Sequence, residues 1–169
     1  AAIGMLAATG YAVGALGAGC RVMLKPSELT PRTSALLRET VAQHFAADEF
    51  TVIEGGAATG RAFCALPFDH LFFTGSTAVG CEVAIAAARN LTPVTLELGG
   101  KSPALVAPSA DRARAARRIA AGKWLNAGQT CIAPDYVLVD AAHVDAMVDA
   151  LRSAVAGLYP TIAGNPDYT

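Results

Sequence analysis

Apolar residues in this chain fall into short runs broken by glycine, proline and serine, with longer stretches of helical spacing between them. Cys20-Arg-Val-Met-Leu24, Phe50-Thr-Val-Ile53, Leu71-Phe-Phe73 and Pro93-Val-Thr-Leu-Glu97 read as strands. Gly4 to Ala18 reads as a helix of small residues, and Ala57 to Leu66 as a short one. Leu36, Leu37, Val41 and Phe45 give the Ser34–Phe45 stretch a helical period, with Thr30 as its N-cap and Pro31 in the first turn. Pro26 ends the first strand, since it has no N–H for a ladder. Gly75-Ser-Thr77 opens a helix running to Ala88. Beyond residue 97 the pattern repeats: a strand at Pro103–Val106, a helix at Asp111–Leu125, a polar loop from Asn126 to Cys131, a strand at Tyr136–Val139 and a helix at Ala142–Leu158. Arg112, Arg114, Arg117 and Arg118 belong on the wet face of the first of these helices.

Strand–helix alternation at this spacing predicts an α/β fold: a Rossmann-like parallel sheet with helices on both faces, followed by the start of a second α/β domain. We place the boundary between residues 97 and 98. Such sheets bind ligands beyond the carboxyl ends of their strands. The residues to inspect are therefore Lys25 to Glu28, Gly55-Gly56, Gly75-Ser76 and Glu97 to Lys101.

Composition narrows the picture. The 169 residues are 53% hydrophobic and 16% charged, with a net charge of −1. That excludes a disordered chain and a coiled coil, and offers no basic footprint for nucleic acid or an anionic membrane. The most apolar stretch, Ala1 to Leu24, is interrupted by glycines and rich in alanine, a poor spanning helix. No basic segment marks a signal peptide. Four scattered cysteines and three scattered histidines show no metal-ligand spacing. Cys20, Cys64 and Cys81 sit among apolar neighbours and are expected to be buried thiols; a reducing, cytoplasmic location follows most simply. With Ala1 in place of an initiator Met, we expect a piece of a longer chain.

Four segments carry candidate chemistry. A Gly75-Ser76 turn at a helix start offers free N–H groups, a helix dipole and a hydroxyl to an anion. Glu28, past the first strand, could accept from the hydroxyls of an adenosine ribose and would repel a 2′-phosphate, favouring NAD over NADP. Glu97 ends an apolar run, where desolvation would suit a general base. Cys131 lies among Asn126, Gly128, Gln129 and Thr130, which are not core residues, so its thiol is a candidate nucleophile.

Taken in order, Lys25-Pro-Ser-Glu28, Phe73-Thr-Gly-Ser-Thr77, Leu96-Glu-Leu-Gly-Gly-Lys-Ser-Pro103 and Gly128-Gln-Thr-Cys131 closely resemble the NAD(P)-dependent aldehyde dehydrogenase family. Asp69-His-Leu-Phe-Phe-Thr-Gly75 and Tyr159-Pro to Gly164-Asn-Pro-Asp-Tyr168 resemble its class 3 branch. The resemblance implies that Cys131 adds to the aldehyde carbon and that Glu97 activates the water which releases the acid. It implies that Lys25 and Glu28 hold the adenosine ribose, that Gly75 and Ser76 meet the pyrophosphate, that Gly80 permits close helix packing, and that Leu98 and Gly99 lie near the nicotinamide. It further implies NAD (with NADP possible) as cofactor, an aromatic aldehyde of the coniferaldehyde type as substrate, and a homo-oligomeric parent enzyme. Residues 1–97 would then be a partial cofactor domain and 98–169 a partial catalytic domain.

The chain departs from the family at its start. The family's oxyanion Asn aligns near Ala2, and Cys20 stands where the family usually has Asn. The motif for the nicotinamide ribose and the strand used for oligomer pairing would lie past Thr169. Little or no turnover is expected of the isolated chain. An acyl-phosphate reductase or acylating relative is disfavoured by Glu97; a non-catalytic nucleotide-binding remnant is the reading from another class.

Overall fold

The computed structural model describes residues 2–165, with side chains from residue 10 onward. Pro166, Asp167 and Tyr168, part of the last motif above, lie outside the described residues. The chain forms two compact units, Ala1–Leu98 and Gly99–Thr169.

The first unit runs α1 (Ala2–Gly17), β1 (Val22–Leu24), α2 (Pro31–His44), β2 (Phe50–Val52), α3 (Ala57–Cys64), β3 (Leu71–Gly75), α4 (Thr77–Ala88) and β4 (Val94–Leu98). β1 and β2 pair in parallel, Val22 opposite Phe50 and Leu24 opposite Val52. Their core is Ala12, Val41, Phe50 and Val52, with Leu16, Val22, Leu24 and Leu37 packed around it. Leu36 and Leu37 are adjacent on α2, so only one can face the strands; Leu37 packs and Leu36 is 62% exposed. β3 and β4 pair in parallel from Leu71 opposite Val94 to Gly75 opposite Leu98. α4 buries Gly80, Val83 and Ala87, a stripe at intervals of a helical turn.

The second unit runs β5 (Ser102–Val106), α5 (Arg112–Trp124), a short tight turn over Leu125–Gly128, β6 (Pro134–Val139) and, after a single turn at Ala141–His143, α6 (Val144–Leu158). Val106, Ala116 and Met147 are its buried centre, with Ile119, Val137, Val139 and Leu151 against them. β5 and β6 are parallel, but the register jumps from Ser102–Pro134 to Pro103–Tyr136. Asp135 is thus the extra residue of a bulge, a device that re-aims a side chain. Its carboxylate meets Lys101 Nζ at 3.1 Å.

Every strand pair is parallel, as the alternation demands. Among the described residues, though, the strands form three separate pairs rather than one continuous ladder. Other expectations need correcting. Cys20 and Cys81 are exposed and Cys64 is half-buried, so none is a core thiol. Cys81 follows Gly80 by one residue and so points about 100° away from the buried stripe of α4. Thr30 does precede α2, but its hydroxyl makes no cap; it donates to the Ser27 carbonyl at 3.4 Å. Arg114, Arg117 and Arg118 are exposed as expected, whereas Arg112 is half-buried. No described helix is long and apolar enough to cross a membrane.

Candidate active site

The turns that follow β1 and β2 emerge side by side, because Ile53 N–H donates to the Leu24 carbonyl at 2.8 Å and carries the ladder to the ends of both strands. One turn is Lys25-Pro-Ser-Glu28, the other Glu54-Gly-Gly56. Between them lies a cleft of about 250 Å³ lined by Pro26, Ser27, Glu28, Ser34, Glu54 and Gly55 among others. Lys25 Nζ lies 3.0 Å from Glu28 Oε2, and only 14% of the Lys25 side chain is exposed. The lysine stem passes along α3, where a Cβ on Gly60 would be in ordinary contact with Lys25 Cε at 3.7 Å. Glu28's carboxyl is held below the usual glutamate range, first by its own backbone N–H and then by the Lys25 ammonium. Burial pushes the Cys64 thiol up, partly opposed by Lys25. Gly55 has φ +151°, and a Cβ there would collide with the Thr59 side chain, so the turn needs glycine.

The second constellation lies where β3 hands over to α4. Ser76 caps the helix, its Oγ accepting from Val79 N–H at 3.3 Å. As an acceptor in that bond, the hydroxyl keeps its own proton free for an incoming anion. A Cβ on Gly80 would stand 2.8 Å from Leu98 Cδ2, so glycine brings the start of α4 down onto the end of β4. Gly75 and Leu98 are register partners. The structure therefore brings Gly75, Ser76, Gly80 and Leu98 together at one end of the β3–β4 pair.

Glu97 lies opposite Thr74 in β4. It is exposed, which corrects the expected desolvation. Its neighbours Leu96 and Leu98 alternate with it across the strand, so an apolar run did not mean an apolar setting for the carboxylate.

Cys131 belongs to the second unit, and its loop is strained. Asn126 (φ 51°), Ala127 (φ 54°) and Gly128 (φ 77°) are all left-handed. Asn and Gly tolerate this; Ala127 does so at a cost of roughly 1–2 kcal/mol. Asn126 Nδ2 donates to the Gln129 carbonyl at 3.2 Å and Gln129 N–H donates to the Asn126 carbonyl at 3.0 Å, locking the turn. Ala133 N–H closes the next turn onto Thr130 at 3.0 Å, leaving the Cys131 N–H unused by that bond. Cys131 is exposed. The Gly100 backbone passes so close that a Cβ would be 3.1 Å from the Cys131 carbonyl oxygen. Thr130 Oγ1, one residue away, is buried with no hydrogen-bond partner among the described residues. Gly99 is exposed in the turn that leads to Gly100. Glu97 and Cys131 fall in different units.

Sequence reasoning singled out Gly55-Gly56 and the Glu97–Lys101 stretch by position but missed Glu54, Ser34 and Asp135, the partner of Lys101. Glu54 had a signal: it is the first polar residue past a strand. The bulge that turns Asp135 toward Lys101 had none, because register is a property of two strands together.

Parallel α/β pairs, a lysine–carboxylate cleft, a capped glycine turn and an exposed cysteine beside a strained loop are the features to set beside known proteins. Residues 3–167 match the aldehyde dehydrogenase family, and the chain belongs to that family. It is 56% identical over 160 residues to a probable coniferyl aldehyde dehydrogenase of Pseudomonas aeruginosa, covering 95% of this chain and 34% of that protein. It is 54% identical over 162 residues to the coniferyl aldehyde dehydrogenase of Pseudomonas sp., covering 96% and 34%. Among solved structures, the substrate-bound AldH of Staphylococcus aureus superposes with a TM-score of 0.88 at 44% identity, covering 92% of this chain and 34% of that one. A Mycobacterium tuberculosis aldehyde dehydrogenase complexed with NAD+ superposes at 0.75 with 38% identity, covering 82% and 29%. The chain thus spans about a third of the length of the curated relatives it matches.

Proposed function

We propose that this chain carries the cofactor cleft and the nucleophile of an enzyme that oxidises an aldehyde to its carboxylic acid. The observation that carries the reading is the exposed Cys131 thiol, held on a run of left-handed residues beside the Gly100 backbone. Left-handed strain of this kind clusters at functional sites.

A dinucleotide fits the residues present. Gly55 admits no Cβ, and its cleft is edged by a lysine-held carboxylate of the kind that receives ribose hydroxyls. Lys25 and Glu28 would hold the adenosine ribose; Gly75 and Ser76, at the start of α4, would meet the pyrophosphate; Gly80 lets that turn approach Leu98; and Leu98 and Gly99 would flank the nicotinamide. When bound, the nicotinamide supplies the acceptor for one hydride. Glu28 supports NAD over NADP, since its carboxylate repels a 2′-phosphate.

The chain's own residues do the rest. The Cys131 thiolate adds to the aldehyde carbon, forming a C–S bond and a tetrahedral alkoxide. The Cys131 N–H donates to that alkoxide. Loss of hydride from the carbon restores the C=O bond as a thioester. Glu97 takes a proton from water; the resulting hydroxide attacks the thioester carbon, and the C–S bond breaks to return the thiolate. Exposure of Glu97 suits a base that must meet bulk water. Similarity to coniferyl aldehyde dehydrogenases supports an aromatic aldehyde as substrate, and the parent is read as a cytoplasmic homo-oligomer.

The test is a calorimetric titration with NAD, followed by labelling with an aromatic chloromethyl ketone shaped like the substrate. The reading predicts saturable NAD binding and alkylation of Cys131 faster than that of Cys20 and Cys81, which are also exposed. Absence of NAD binding, or labelling in proportion to exposure alone, would overturn it.

A further inference from the structure

The cleft between the β1 and β2 turns is lined by two carboxylates, Glu28 and Glu54, and by no cation. Each of the two carboxylates engages a cation outside the lining. Lys25 is bound to Glu28 at 3.0 Å. Arg38 Nε lies 2.6 Å from Glu54 Oε2, and its Nη2 lies 3.9 Å from Glu39 Oε1. A ribose with free hydroxyls finds acceptors here. A 2′-phosphate, carrying close to two negative charges near neutral pH, finds two carboxylates and no cation among the lining residues.

Resting on the reading of this cleft as the adenosine site, we propose that Glu54 is a second specificity-determining residue, acting with Glu28 to reject 2′-phosphorylated cofactor. It acts in two ways. It adds a second carboxylate to the lining, and it holds the half-exposed Arg38 guanidinium, which could otherwise turn toward a phosphate. Glu28 alone leaves this second edge undefended. The residue after β2 therefore matters to cofactor choice as much as the turn after β1.

The experiment measures Kd for NAD and for NADP by calorimetry in the wild-type chain, Glu54→Gln and Arg38→Gln. Both positions are substantially exposed, so the fold should tolerate either change. Glu54→Gln removes a charge and frees Arg38; the ratio Kd(NADP)/Kd(NAD) should fall about two- to fivefold, the range of a screened surface pair. Arg38→Gln leaves Glu54 uncompensated; the ratio should rise by a similar factor. Opposite signs are the signature, because a merely structural role in the turn would weaken both cofactors in both variants. Unchanged ratios, or ratios moving in the same direction, overturn the inference while NAD binding keeps the adenosine-site reading intact. Loss of NAD binding in the wild-type chain overturns both.

Discussion

Glu28 is bonded from two sides, by its own backbone N–H and by Lys25, and both bonds favour the charged form. A carboxyl whose folded pKa is depressed contributes stability above its unfolded pKa, near 4.5, and loses it as pH falls through the lower folded value. The Lys25–Glu28 turn is therefore expected to stay closed through the ordinary glutamate range and to open only in stronger acid. A carbon-detected NMR titration of the Glu28 carboxyl should show a midpoint below that of ordinary glutamates. Lys25→Met should raise the midpoint only part-way, since the larger contribution comes from the backbone. An ordinary midpoint in the wild-type chain would count against the turn. At the Cys131 loop the backbone makes its own prediction. Ala127→Gly relieves a left-handed alanine and should stabilise the second unit by about 0.5–1 kcal/mol in urea unfolding, the strain released less glycine's entropy. These residues also show where reading a sequence stops. The cysteine and the glutamate were legible as chemistry, from polar neighbours and a strand end. Exposure of Glu97, and the left-handed run before Gln129, were not, because burial and strain depend on what packs across and how the loop closes.

Elements were more legible than environments. Helix starts carried local signals that need no partner: Pro31 in a first turn, Ser76 and Asp111 accepting from N–H groups within their own helices. Strand pairing was legible only as parallel; which strands pair, and the bulge at Asp135, come from contacts far apart in sequence. The burial of Met147 is such a contact. At 2% exposure it joins α6 to Val106 and Ala116, and Met147→Ala should cost about 2–5 kcal/mol in denaturant unfolding of the second unit. A cost below 1 kcal/mol would mean that α6 is not seated as described. The α4–β4 approach is similarly specific. Gly80→Val adds branched bulk against Leu98 and should destabilise by about 1–3 kcal/mol while weakening nucleotide binding.

Across the whole molecule, the family followed from ordered motifs, whereas the substrate did not, since a third of a relative's length carries only some of its site. One surface stands out at this scale. Leu105 and Leu138 are register partners on β5 and β6, 75% and 52% exposed, on the face opposite the Val106–Val137 core. Parallel strands are seldom left uncovered. Replacing both with lysine should lower binding of an apolar fluorescent dye without lowering the unfolding midpoint of the second unit. The central claim concerns a different pair of residues, the thiol that is acylated and the carboxylate that frees it. Single-turnover incubation of a family-length enzyme carrying this segment with an aromatic aldehyde and NAD, followed by acid quenching and peptide mass mapping, tests it most directly. The account predicts an acyl mass on the Cys131 peptide that persists longer in Glu97→Gln than in that enzyme's wild type and is absent in Cys131→Ser. An acyl group on Cys20 or Cys81 instead, none on any thiol, or equal persistence with and without Glu97 would contradict it.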